Sequence, residues 1–62
     1  MDQKILDKYA GQLPTKKWCE WACKVTGKPE MEYWLQGIFL LTEVENFSQE
    51  EAAEIMQYHW DK

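Results

Sequence analysis

The stretch TKKWCEWACKVTGKP, residues 15–29, decides the fold class, because it contains a helical segment together with its stop signal and the start of the next segment. Trp18, Ala22 and Val25 recur at helical spacing, and Glu20 and the lysines fall on the opposite side. Gly27 suits the left-handed residue that follows many helices, and proline is favoured in the first turn of a helix. The stretch therefore predicts an α-helix over about residues 15–26, with a second helix beginning at Pro29.

The rest of the chain divides into segments of the same kind. A helical pattern precedes Gly11, and Ser48 with Glu51 three residues later is a capping box that opens a last helix. No alternating strand pattern competes with these segments. We therefore predict an all-α fold, a small compact bundle of three to four short helices in one domain, residues 1–62. The predicted helices span about residues 2–10, 15–26, 29–45 and 48–61.

Composition bounds the size of the core and the class of protein. The 62 residues are 45% apolar and include four tryptophans, which is enough for a core without metal or disulfide, although the margin is thin and pairing with a second chain is an alternative. The sequence contains no signal-peptide pattern and no apolar run long enough to cross a membrane. Two cysteines without a secretory signal are typical of reduced thiols, so we expect a cytoplasmic protein.

Charge is distributed unevenly along the chain. Residues 1–28 hold six lysines and three carboxylates, whereas residues 29–61 hold eight carboxylates and no lysine. A surface that only needs to be soluble usually mixes the two signs, and a one-signed field steers a chain toward an oppositely charged partner. The chain has no arginine, the usual bidentate reader of phosphates and bases.

The cysteines of the second helix raise the question of a metal or redox site. On a helical wheel Trp18, Trp21, Ala22 and Val25 form the centre of the apolar face, and the cysteines lie along its edge. Cysteines four residues apart on a helix are too distant for an ordinary disulfide. Zinc needs four ligands, and the chain offers only one further soft ligand. We expect packing cysteines and no metal or cofactor, with a metal site or an intermolecular disulfide as alternatives. These cysteines are Cys19 and Cys23.

His59 lies on the apolar face of the fourth predicted helix, beside a tryptophan. The expected role is a partly buried histidine with a hydrogen-bond partner, and the alternative is a pH-sensitive contact or a ligand. His59 is also the only base available to a catalytic cysteine. No glycine-rich nucleotide loop or paired-carboxylate frame is visible, so we predict that the chain is not an enzyme.

The third predicted helix carries two apolar stripes. The main stripe is assigned to the core and contains Met31, Trp34, Leu35, Ile38, Leu41 and Phe39. The second stripe runs down nearly the opposite side and is predicted either to be wrapped by other helices or to form a dimer or partner face; it contains Tyr33, Gly37, Leu40 and Val44. Glycine costs about 1 kcal/mol relative to alanine in mid-helix, so a close helix approach at Gly37 would explain it.

Two stretches resemble parts of helix-turn-helix proteins. FSQEEAAEIM, residues 47–56, is similar to the first helix of that motif, and ACKVTGKPEMEYWLQG, residues 22–37, is similar to the alanine–glycine–tryptophan pattern of phage-repressor relatives. The resemblance implies a DNA-binding regulator. DNA binding also needs basic side chains on phosphates, and the segment that would read the bases carries Glu30 and Glu32.

We therefore predict a small acidic protein-binding module that docks on a basic surface of a nucleic-acid-handling protein and regulates or inhibits it, encoded by a phage or another mobile element. The alternatives are a homodimeric assembly subunit that uses the second stripe and a degenerate helix-turn-helix regulator. Membrane binding is not expected. The predicted partner-binding residues are Glu43, Glu45, Glu50, Glu51, Glu54 and Tyr58.

Overall fold

The computed structural model describes residues 1–61, and these form four α-helices in the predicted order. The helices are α1 (Gln3–Lys8), α2 (Lys16–Thr26), α3 (Glu30–Phe39) and α4 (Gln49–Trp60), and a π-helical segment (Leu40–Val44) continues α3. No strand occurs among these residues. The predicted all-α fold is therefore confirmed.

The signals at the helix ends act as the sequence indicates. The Thr15 side chain accepts a hydrogen bond from the Trp18 amide at 3.2 Å, and Gly27 ends α2 with φ of 76°. At α4, the Glu51 amide donates to Ser48 Oγ at 3.2 Å, and the Ser48 amide donates to the Glu51 carboxylate at 3.1 Å. The predicted capping box is thus present in full.

The third helical stretch widens before it ends. The Glu45 amide donates to the carbonyl of Leu40 at 3.0 Å, a bond across five residues instead of four. Asn46 then takes the left-handed conformation, with φ of 63°, and the chain turns toward α4. The helical path predicted over residues 29–45 is therefore present, but its last turn is π-helical and not α-helical.

The core consists of two clusters that share Trp60. The larger cluster lies between α1, α4 and the π-helical segment, and its buried members are Leu6, Tyr9, Leu13, Leu41, Ala52, Ile55 and Met56. The smaller cluster joins α2 to α3 through Cys19, Ala22 and Tyr33. Trp60, at the end of α4, packs against both clusters.

Helix α2 turns a different face inward than the helical wheel predicts. Cys19 is fully buried and Ala22 nearly so, whereas Trp18, Trp21 and Val25 are exposed. The Cys19 side of the helix also carries Thr26, whose Oγ1 lies 2.8 Å from the hydroxyl of the buried Tyr33. The prediction that Trp18, Trp21 and Val25 lie at the centre of the buried face was wrong.

Helix α3 and its π-helical continuation bury part of each stripe. In the main stripe Leu41 is fully buried and Trp34 and Ile38 pack against the larger cluster, as predicted, whereas the assignment of Met31, Leu35 and Phe39 to the core was wrong, because they are exposed.

Tyr33 is buried against α2, and Gly37 is buried against Met56 of α4, where an added Cβ would lie only 2.6 Å from the Met56 methyl carbon. The close helix approach predicted at Gly37 is present. Leu40 is half-buried and Val44 is exposed. Tyr33 and Gly37 are therefore occupied within the chain, and the free apolar surface lies on the other stripe.

Candidate protein-docking site

An exposed apolar row runs along the outer side of α3. It consists of Met31, Leu35 and Phe39, whose exposed fractions are 68%, 55% and 62%. The spacing of four residues places the three side chains one above another on a single helix face. We call this row the α3 stripe. An apolar row of this kind is typical of a surface that contacts another molecule.

Carboxylates border the α3 stripe. Glu32 lines one shallow depression together with Leu35 and Phe39, and Glu30 lines another together with Met31. Both glutamates are exposed, and no lysine or arginine occurs between residues 28 and 62. The stripe therefore combines apolar side chains that gain from burial with an acidic border.

A second exposed apolar row lies on α2 and has the opposite electrostatic surroundings. It consists of Trp18, Trp21 and Val25, and three lysines lie on the same helix. The Trp18 ring packs edge-on against Tyr33, with 5.2 Å between the ring centroids. One side of Trp18 thus contributes to the fold and the remainder faces solvent.

The residues predicted to bind a partner do not form a single free surface. Glu43 and Glu50 are exposed, and Glu45 is half-buried. Glu51 closes the capping box, and Glu54 pairs with the amino group of Met1 at 3.2 Å. These last two carboxylates therefore already have partners within the chain.

Tyr58, expected to be exposed, is half-buried and packs against the larger core cluster. Its hydroxyl accepts a hydrogen bond from the Gln3 side chain at 2.8 Å, which links α4 to α1. Tyr58 therefore serves the contact between two helices of this chain.

The two thiols have unequal surroundings. Cys19 is fully buried, and burial raises the pKa of its thiol above the ordinary value of 9.0, with smaller contributions from Cys23 and Glu30. Cys23 is half-buried, and both cysteines are free. Among residues 1–61, no three His, Cys, Asp or Glu side chains are grouped so that they could hold a metal ion. Cys19 is a core residue, deeper than the edge position predicted for it.

His59 is buried and has a hydrogen-bond partner, as expected. Its Nε2 lies 2.6 Å from the backbone oxygen of Leu6. A carbonyl oxygen can only accept, so Nε2 carries the proton of this bond. The Tyr58 ring packs edge-on against the imidazole. His59 thus connects α4 to α1 inside the core.

Hydrophobic periodicity alone could not find the α3 stripe. The apolar residues of this helix extend around most of its circumference, so a helical wheel does not show which of its apolar residues remain exposed to solvent. One signal was available: Glu32 and Gln36 lie next to Leu35 and Phe39 on the wheel, as at the edge of a solvent-exposed face. The carboxylate beside the row therefore indicates solvent exposure better than the apolar residues of the row do.

One comparison with known proteins gives a match. A family described as the sigma-like domain of the response regulator PhyR matches residues 38–62, which is less than half of the chain. The matched segment includes the π-helical segment and α4, and it contains the ten residues that resemble a helix-turn-helix. No curated protein and no solved structure matches the chain. Within residues 1–61, no helix has the length and apolar character needed to span a bilayer.

Proposed function

We propose that this chain is a small acidic protein-binding module that docks on a basic surface of a nucleic-acid-handling protein and regulates or inhibits it. The observation that carries the proposal is the α3 stripe, three exposed apolar side chains bordered by Glu30 and Glu32. The module acts in the cytosol, consistent with its two free thiols. Its role is binding and not catalysis.

The two components of the surface contribute differently to binding. Apolar side chains that become fully buried contribute roughly 1.5–3 kcal/mol each, so Leu35 and Phe39 supply most of the affinity. The carboxylates supply speed of association and choice of partner, because a negative field attracts a basic surface and repels an acidic one. The partner that fits is therefore a protein with an apolar groove bordered by lysine or arginine.

The family match supports a transcriptional setting for this partner. The name of the matched family describes a sigma-like domain of a response regulator. The matched residues overlap the end of the α3 stripe, because Phe39 lies inside the segment 38–62. We place the partner among proteins of the transcription apparatus on this basis.

The test is a capture experiment with matched surface variants. The tagged chain, a Leu35→Ser/Phe39→Ser variant and a Val25→Ser control are exposed to lysate of the cells that express the chain, and retained proteins are identified by mass spectrometry across a salt series. All three substituted side chains are exposed, so folding should be preserved. We expect a basic protein on the wild type and on Val25→Ser that elutes as salt rises. The stripe variant should bind it at least about 100-fold more weakly when affinities are measured.

Two results would count against this proposal. Equal retention by the stripe variant would show that α3 is not the docking face. Recovery of the chain alone, with a light-scattering mass that grows with concentration, would favour the homodimeric alternative. The second stripe named for that homodimer is not free, because Tyr33 and Gly37 are buried within the chain. The dimer would instead pair the row of exposed apolar residues on α2, which lysines flank, with the acidic α3 stripe, and Val25→Ser should then also reduce association.

A second candidate is a helix-turn-helix or sigma-like regulator that contacts DNA. The family match favours it, because the matched family is described as sigma-like and the matched segment contains the ten residues that resemble a helix-turn-helix. The discriminating measurement is a fluorescence anisotropy titration with duplex DNA at several salt concentrations. Binding that falls steeply with salt would favour this candidate, since phosphate contacts release counterions. No binding at physiological salt is the expectation for the acidic module.

A further inference from the structure

Two tryptophans form a corner at the end of the α3 stripe. The rings of Trp34 and Trp60 meet at 85°, with their centroids 5.2 Å apart. Both side chains are half-buried against the core, which limits their freedom to move. Met31 and Glu30 complete the lining of the depression in front of the rings. The site therefore has aromatic walls, a polarizable thioether and a carboxylate.

This combination suits a cation better than a neutral group. The face of an indole ring is negative and attracts ammonium or guanidinium groups, and tryptophan is the strongest of the aromatic residues in this respect. A carboxylate at the same depression adds a direct charge interaction. Glu30 forms no ion pair with any of residues 1–61, where the ion pair observed joins Met1 to Glu54. The carboxylate is thus available to an outside cation.

We propose that the depression between Trp34, Trp60, Met31 and Glu30 binds the ammonium group of a lysine side chain from a protein partner. This inference deepens the proposed function. The choice of a protein as the source of the lysine rests on that function. Met31 belongs both to the depression and to the α3 stripe, so a basic segment lying along the stripe has its next side chain at the tryptophan corner. The acidic border disfavours an acidic or neutral segment there.

The experiment measures the corner directly, without the partner. Nα-acetyl-lysine-methylamide is titrated into the full chain while the indole N–H resonances of the four tryptophans are followed by NMR. The norleucine analogue is the matched neutral control, because it keeps the aliphatic stem and lacks the ammonium group. Trp18→Phe and Trp21→Phe, at exposed positions, identify the signals that do not belong to the corner.

The lysine derivative should shift the Trp34 and Trp60 signals in the millimolar range, and the norleucine derivative should bind roughly two- to fivefold more weakly or not at all. Glu30→Gln should weaken lysine binding by a similar factor. Glu43→Gln removes the same charge from an exposed residue outside the depression and should leave binding unchanged. Both substitutions are at exposed positions, so loss of folding does not confuse the result.

Equal binding of the two derivatives, or shifts confined to Trp18 and Trp21, would overturn the assignment. Choline binding more than tenfold more tightly than the lysine derivative would also overturn it, in favour of a free quaternary ammonium ligand. A lysine-selective corner together with failure of the capture experiment would leave this site standing and reject the proposed function. The two hypotheses are thus separable.

Discussion

At Gly37 the absence of a side chain determines how closely α3 and α4 approach. Met56 of α4 occupies the space that a Cβ would take, and it is fully buried. The smaller core cluster follows the same rule, because α2 meets α3 through Cys19 and Ala22. Small residues therefore lie where the helices of this chain contact each other. The tryptophans of α2 lie on the other side of that helix and face solvent.

We predict that Gly37→Ala lowers the free energy of unfolding by about 1 kcal/mol. Alanine gains about 1 kcal/mol of helix propensity, but overpacking against a fully buried methionine costs typically 1–3 kcal/mol. Urea denaturation followed by circular dichroism measures the change. Met56→Val shortens the opposing side chain, so the double variant should lose less stability than the sum of the single variants. A Gly37→Ala protein more stable than the wild type would show that the flexible end of the Met56 side chain moves aside at little cost, contrary to this prediction.

The residue scale also explains the main failure of sequence reasoning. Hydrophobicity places Trp18 and Trp21 inside, because each could bury a large area. In the structure the face of α2 that meets α3 instead carries Cys19 and Ala22, and Thr26 on the same side forms a hydrogen bond with the Tyr33 hydroxyl. This hydrogen bond joins residues on different helices, so no helical wheel of α2 alone could show it.

Among the elements, α4 is the one best predicted, because its signals are local. The capping box acts within four residues, and His59 lies on the predicted apolar face. The π-helical segment was not predicted. It holds Leu41 fully buried in the larger cluster, a contact with α1 and α4 that lies outside any local sequence signal.

We predict that Ser48→Ala lowers the free energy of unfolding by about 1 kcal/mol. The Glu51 amide in the first turn of α4 loses its hydrogen-bond acceptor, and the reciprocal bond from the Ser48 amide to the Glu51 carboxylate is no longer part of a complete capping box. Thermal denaturation measures the effect. Ser48→Asp is the matched control, since aspartate also accepts from the first-turn amides and suits the positive helix end. Equal stability of the alanine and wild-type proteins would mean that water replaces the cap without cost.

At the scale of the whole molecule, the sequence predicts the class and the helices but not the division between core and surface. Helix type and helix ends depend on residues near each other in the chain. Which apolar residues stay outside depends on how many neighbours each helix has. Met31, Leu35 and Phe39 were assigned to the core for this reason, although they form the exposed α3 stripe. The candidate docking site is thus the feature that required the structure.

Trp60 is a side chain that both core clusters share, and this has a measurable consequence. Trp60 packs against both clusters, one containing Leu41 and Ile55 and the other Cys19 and Tyr33. Full burial of a large apolar side chain contributes roughly 1.5–3 kcal/mol, and Trp60 is half-buried. A chain of this length is expected to have a total stability of about 3–9 kcal/mol. We therefore predict that Trp60→Ala lowers the free energy of unfolding by about 2 kcal/mol, a large part of the total stability.

Urea denaturation followed by circular dichroism at 222 nm should show that Trp60→Ala unfolds at a clearly lower urea concentration than the wild type. Trp21→Ala is the matched control, because the side chain has the same size and is 59% exposed. Its free energy of unfolding should stay within about 0.5 kcal/mol of the wild-type value. If Trp60→Ala unfolded at the wild-type urea concentration, the contacts of α3 with α4 would be sufficient to join the clusters, and Trp60 would serve only as a wall of the cation site.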